Sequence, residues 1–143
     1  MPPTALDERF SPLRTLRPEA HDLSLEPNEL VRRLERLRTA IGRAVIYSVD
    51  IVPERFVSAV TNKRSNRSLY DVLKSIGESV VSANAVLLPV IADQRLSSLL
   101  DVKVGSALKQ INEVDFNKNG HPIVLSTEWH VPGVFESRVN RRP

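Results

Sequence analysis

Leu30-Val31-Arg32-Arg33-Leu34-Glu35-Arg36-Leu37-Arg38, the turn Thr39-Ala40-Ile41-Gly42, and Ala44-Val45-Ile46-Tyr47-Ser48-Val49-Asp50-Ile51-Val52 closed by Pro53 form the stretch that decides the fold. The first run is a candidate strand. The second is rich in β-branched residues, which pack well on a pleated surface. Two such runs joined by a short glycine-containing loop predict a β-hairpin. Downstream, Leu108–Phe116 and Pro122–Val131 flank Asn117-Lys118-Asn119-Gly120. The Asn-Gly pair is a strong turn signal, so these residues predict a second hairpin.

The two hairpins resemble each other in sequence. Leu25 and the residues after it correspond to Val102 onward, and Leu34 to Ile111, 77 positions apart. Past the turn the offset is 78: Gly42 corresponds to Gly120, Ala44 to Pro122, Ser48 to Ser126 and Asp50 to Glu128. The second turn is one residue longer, and Pro53 and Pro132 close their respective hairpins. We read this as helix–loop–hairpin–helix twice, with a helix and a strand between. The fold class is α+β: one antiparallel sheet with pseudo-twofold repeated hairpins and flanking helices.

The remaining elements fill in around the hairpins. Pro53–Val60 reads as a short helix with proline at its first position. Ser68 is placed as the N-cap of a helix over Leu69–Ile76, with Gly77 as its stop. Leu69, Val72, Leu73 and Ile76 give that helix one apolar face. Ser79–Val90 reads as a strand and Ala92–Leu100 as a helix with Leu96, Leu99 and Leu100 inward. Residues 1–22 hold four of the ten prolines and no sustained period. They are expected to be extended, a linker or an edge segment, leaving 23–143 as the domain.

Composition narrows the function classes. The chain has 143 residues, 41% of them hydrophobic and 26% charged, which suits one soluble globular domain. It has no cysteine, which excludes disulfides, thiolate chemistry and cysteine-based zinc sites. There is no run of 18 apolar residues and no signal-peptide core at Met1–Phe10, so the expected setting is the cytoplasm, away from membranes. The net charge of +3 is spread along the chain rather than gathered on one element, which argues against direct DNA binding by this chain alone. His21, His121 and His130 show no metal-ligand spacing, and no phosphate-binding glycine loop or nucleophile elbow occurs. No cofactor, metal or catalytic residue is expected.

Several residues could carry chemistry. Arg36 and Arg38, two apart on a strand, point to one face. Adjacent guanidiniums repel unless an anion lies between them, and their planar forks suit carboxylate or phosphate. The alternative is a solvated basic face, with pairing to Glu35 or Asp50. At the start of the Leu69 helix, Ser68 and Tyr70 would add hydroxyl donors to free backbone N–H groups, a setting that favours an anion. The alternative there is a plain cap with Tyr70 in the core. The single tryptophan, Trp129, reads as a core or interface residue.

Taken in order, Leu25-Glu26-Pro27-Asn28-Glu29-Leu30 through Arg38, Gly42, the β run to Pro53, Ala92–Leu100, Val104-Gly105-Ser106-Ala107-Leu108, and Asn119-Gly120-His121-Pro122-Ile123 resemble the UTRA domain. UTRA domains are the effector-binding domains of HutC-type bacterial transcription regulators of the GntR family, and the resemblance covers residues 23 to about 137. It implies a chorismate-lyase-like fold, a homodimer, and a pocket for a small anionic metabolite whose binding modulates operator DNA through a winged-helix domain. That winged helix is not expected within this chain. The resemblance also implies that Arg36, Arg38, Ser68 and Tyr70 line the pocket. Ser48 stands where sugar-phosphate-sensing relatives carry a glutamate, which argues against a phosphosugar ligand. Asp50, Ser126 and Glu128 would read the non-anionic end, or else be polar faces of half-exposed strands. Two other functions stay open: a chorismate-lyase-like enzyme, with Glu128 its acid–base candidate, and a dimerisation module with a degenerate pocket. A non-enzymatic sensor is the expected function.

Overall fold

A computed structural model describes residues 4–14, 23, 25, 29–57 and 69–133. Its elements in chain order are β1 (Thr4–Arg14), β2 (Leu30–Ala40), β3 (Arg43–Pro53), α1 (Glu54–Val57), α2 (Leu69–Ser75), β4 (Ser82–Ile91), α3 (Gln94–Leu100), β5 (Ala107–Phe116) and β6 (Pro122–His130). The six strands form one sheet in the order β1-β2-β3-β6-β5-β4. All neighbouring strands run antiparallel. This is the expected α+β class.

The strand register displays the repeat residue by residue. β2 pairs with β3, and β5 with β6, and each ladder shifts once: between Arg38 and Thr39 in the first, between Asp115 and Phe116 in the second. Those positions are 77 apart, so the irregularity itself is duplicated. β3 and β6 meet at the centre, where Val49 lies directly opposite Thr127, its own mate at 78. The pseudo-twofold axis therefore passes through that pair.

The repeat unit differs from the expected one. β1 is the mate of β4: Asp7–Arg14 runs along β2 from Leu37 to Leu30 as Asn84–Ile91 runs along β5 from Val114 to Ala107. Each unit is thus a strand followed by a hairpin. Of the readings open for residues 1–22, the edge segment is the one present over Thr4–Arg14, inside the sheet and not a linker before it. An edge strand pairs on one side only and is under less pressure to alternate, which is why its pattern is weak.

The turns follow from local chemistry. Ile41 and Gly42 both have positive φ, 52° and 71°, the two-residue turn whose twist suits a hairpin. Thr39 and Ala40, expected in the turn, remain in the strand because the ladder shift absorbs them. In the second hairpin the Asn117 carboxamide oxygen accepts from the N–H groups of Asn119 and His121, each at 3.0 Å. Gly120 takes the left-handed conformation there.

Helices cover opposite faces. Val52 and Val124 pack with Leu69, Val72 and Leu73 of α2. Tyr47 and Val49, of opposite parity on β3, pack with Leu100 of α3, and Leu96 and Leu99 join them. Asp93 caps α3 by accepting from Leu96 N–H at 2.8 Å. Ile76, expected inward, lies one residue beyond α2 and is 41% exposed. Trp129 stacks on Tyr47 with ring centroids 5.5 Å apart, a core role as expected.

Candidate functional site

Cross-strand partners lie on the same side of a sheet, so the register defines a polar face. One row runs Arg36 (β2), Ser48 (β3), Glu128 (β6). The next, one way, runs Arg38, Ile46, His130, Lys109, and the other way Leu34, Asp50, Ser126, Glu113. Six of the eight residues singled out in the sequence thus share one face: Arg36, Arg38, Ser48, Asp50, Ser126 and Glu128. Tyr70 reaches the same face from α2. Ser68, the expected cap, lies outside the described residues.

The face is internally braced. Arg36 Nη2 donates to Asp50 Oδ2 at 2.6 Å, with both side chains nearly buried. Ser126 Oγ donates to Asp50 Oδ1, also at 2.6 Å. Both carboxylate oxygens of Asp50 are therefore engaged. Asp50 thus links Arg36 on β2 to Ser126 on β6. The pairing weighed as the alternative for Arg36 is also real, but it uses only one side of the guanidinium. Arg36 Nε is buried and has no hydrogen-bond partner. Buried donors are nearly always satisfied in folded proteins, so such an atom calls for an acceptor.

Glu128 bonds to His130 Nε2 at 2.7 Å. That hydrogen bond, followed by the charges of His130, Arg38 and Arg36, outweighs burial and holds the Glu128 carboxyl below the ordinary range. His130, expected to be structural or on the surface, braces Glu128 on the polar face. Tyr70 Oη donates to Asp115 Oδ2 at 2.9 Å, and burial and the Asp115 charge keep its hydroxyl protonated well past the usual range. Tyr70 is half exposed, so the core position weighed as the alternative is not the one it takes.

Glu113 and Asp115 were not singled out from the sequence. They sit two apart on β5 and point to the polar face. The Glu113 carboxyl is pushed up to about 7, first by a hydrogen bond with Asp115, then by burial and by the charges of Asp115, Glu128 and Asp50. Asp115 is fully buried. A signal for this pair did exist: the 77-residue offset carries Arg36 onto Glu113 and Arg38 onto Asp115. Matching by residue type conceals it, because the charges are inverted.

Elsewhere the surface offers a different feature. β4 is exposed along nearly all its length, with Val86 and Leu87 more than half exposed, and carries no charged residue. A shallow apolar recess lined by Leu87, Leu88, Pro89, Leu108, Lys109 and Pro132 lies along it.

The chain matches the UTRA domain family model over residues 10–136. It is 30% identical over 112 residues to the uncharacterized HTH-type transcriptional regulator YurK of Bacillus subtilis (strain 168), a match that spans 77% of this chain and 46% of that protein. The chain thus corresponds to about half the length of this relative. Among solved structures, a transcriptional regulator (GntR family) from Enterococcus faecalis V583 superposes with a TM-score of 0.85 at 21% identity, covering 98% of this chain and 100% of that one. The C-terminal domain of Yurk from Bacillus subtilis gives 0.83 at 23%, covering 96% and 94%. The effector domain of PhnF from Mycobacterium smegmatis gives 0.85 at 18%, covering 94% and 84%. At these identities the structures speak for the fold.

Proposed function

Because the chain belongs to the UTRA domain family, we propose that it is the effector-sensing domain of a GntR-family, HutC-type transcription regulator. In this reading it binds a small anionic metabolite on its polar face. The regulator acts in the bacterial cytoplasm, and binding changes how a winged-helix domain of the same regulator engages operator DNA. The observation that carries the ligand assignment is Arg36: a nearly buried guanidinium beside Arg38, with an Nε that lacks an acceptor. A carboxylate or phosphate oxygen supplies that acceptor, and Arg38 on the same face adds a second positive charge.

A binding role fits the chemistry of the face better than turnover does. Glu128, the acid–base candidate of the enzyme alternative, is tied to His130 and held ionised, which makes it a weak proton acceptor near neutral pH. The reading also includes a homodimer, supported by the exposed apolar strand β4. A ten-residue sheet edge with no charge is a template for pairing with another chain.

The test is thermal unfolding of the 143-residue chain with phosphate monoesters and small carboxylates. A ligand at 100 times its Kd stabilises by about 2.7 kcal/mol. Arg36→Met with Arg38→Met removes that shift. If no anion in the panel stabilises the wild type, and the double variant melts with the same profile in its presence, the anion assignment is wrong.

A further inference from the structure

The repeat that places Arg36 and Arg38 on β2 places Glu113 and Asp115 at the corresponding positions of β5, on the same face and across the axis. Each pair lies two residues apart, and the two pairs carry opposite charge. Between them lies a floor of Ser48, Asp50, Ser126 and Glu128. We infer that this face is a bipolar site whose ligand is amphoteric, with an anionic group at Arg36 and Arg38 and a cationic nitrogen at Glu113 and Asp115.

The inference rests on the anion reading of the arginines and adds the opposite end. A second observation at the acidic end also asks for a ligand. Asp115 is 0% exposed; Tyr70 satisfies its Oδ2, but Oδ1 has no hydrogen-bond donor. The partner it faces is another carboxyl group, Glu113, which is only partly buried and so open to solvent. Two neighbouring carboxyl groups repel when both are ionised, so one of them holds a proton. An ammonium or guanidinium N–H replaces that proton, which leaves to solvent, and gives Asp115 Oδ1 its missing donor. Among the described residues no group of three or more His, Asp or Glu converges as metal ligands, which favours an organic cation over a metal ion.

The other charged groups support this polarity. Glu113 is faced by Asp115 on its own strand, Glu128 on β6 and Asp50 on β3, all of which raise its proton affinity. Lys109 lies on the same face of β5 beside His130, and Tyr70 approaches from α2 as a neutral donor to Asp115. Three inter-strand steps separate β2 from β5, about 14 Å, and long side chains reach inward from both. The remaining gap suits a ligand whose charged groups are separated by a chain of roughly two to six atoms.

Calorimetry on the 143-residue chain with 2-aminoethyl, 3-aminopropyl and 4-aminobutyl phosphate, against ethyl, propyl and butyl phosphate, tests this. The best amino compound is expected to bind about tenfold or more tightly than its alkyl counterpart, and to release a proton on binding, read by repeating the titration in buffers of different ionisation enthalpy. In Glu113→Gln the ratio falls towards one and proton release disappears; Glu113→Asp, which keeps the charge, restores part of the preference. Asp115→Asn gives an independent reading should Glu113→Gln fold poorly. Equal affinities for the two series in the wild type overturn the bipolar site and leave the arginine subsite standing. A preference that persists in both Glu113→Gln and Asp115→Asn overturns the assignment to these carboxyl groups. Failure of every phosphate to bind overturns this inference, and the proposed anion site falls with it when the small carboxylates fail as well.

Discussion

The hairpin β2–β3 and the hairpin β5–β6 occupy equivalent places about one axis, yet they have diverged in what they carry. Register, ladder irregularity and sheet position are retained. On the polar face, the first hairpin presents arginines and the second presents carboxyl groups at the same positions. Ser48 and Asp50 face Glu128 and Ser126 across the axis, so each serine pairs with the other half's acid. The backbone pattern is held by ladder pairing, which any side chain that suits a strand satisfies. Ladder pairing sets no charge on a side chain, so the charges of the polar face are free to differentiate.

The largest effect expected from breaking this comparison is at Asp50. Asp50→Ala leaves the Arg36 charge nearly buried without its partner and strands Ser126, and removing one member of a buried pair costs about 3–5 kcal/mol. Its mate Glu128 is 37% exposed, and its bond to His130 is worth about 1 kcal/mol or less. Urea unfolding of Asp50→Ala and Glu128→Ala separates the two; equal losses would show that the brace is as strong in both halves.

The turns come next. Ile41 holds φ at 52°, a conformation that costs a β-branched residue about 1–2 kcal/mol. Ile41→Asn is expected to raise stability by about 1 kcal/mol, measured as a rise in Tm. Gly42 and its counterpart Gly120 both take the left-handed conformation, at φ 71° and 77°. Gly120→Ala is expected to lower stability by about 1 kcal/mol. Substitutions in equivalent turns thus act with opposite sign.

The smallest effect concerns protons. Folded Glu113 keeps its proton up to about 7, against an ordinary value of 4.5. Between those values the folded chain binds more protons than the unfolded one. Stability therefore falls as pH rises through that window and levels off above it. Solvent access to Glu113 keeps the slope shallow. Glu113→Gln flattens it relative to wild type in chemical unfolding at pH 4.5, 6 and 7.5. Glu128, shifted the other way, contributes stability that is lost only as pH falls below the ordinary carboxylate value.

Much of this architecture was legible in the residues. Alternation and turn chemistry placed both hairpins, and the offset from Leu34 to Ile111 and from Ser48 to Ser126 matched the observed ladder. Six candidate site residues fell on one face because a period of two aligns each pair within its strand and the hairpin register aligns the pairs with one another. What escaped has physical causes. β1 is a proline-containing edge strand whose partner lies on one side only. Arg36 meets Asp50 through cross-strand geometry, which no local pattern reveals. Glu113 and Asp115 were hidden because a duplication was sought through similar residues, whereas their kinship with Arg36 and Arg38 lies in position and contrast.

The axis through Val49 and Thr127 has a mechanical consequence. Within each hairpin the paired strands are zipped along most of their length, but the strand ladder between the halves runs only from Ile46–Ile51 to Leu125–His130. This short seam is the natural line of shear in the sheet. A molecule gripped from both sides would lie across it like a stitch, so amide exchange should slow first in those six residues of β3 and their partners in β6.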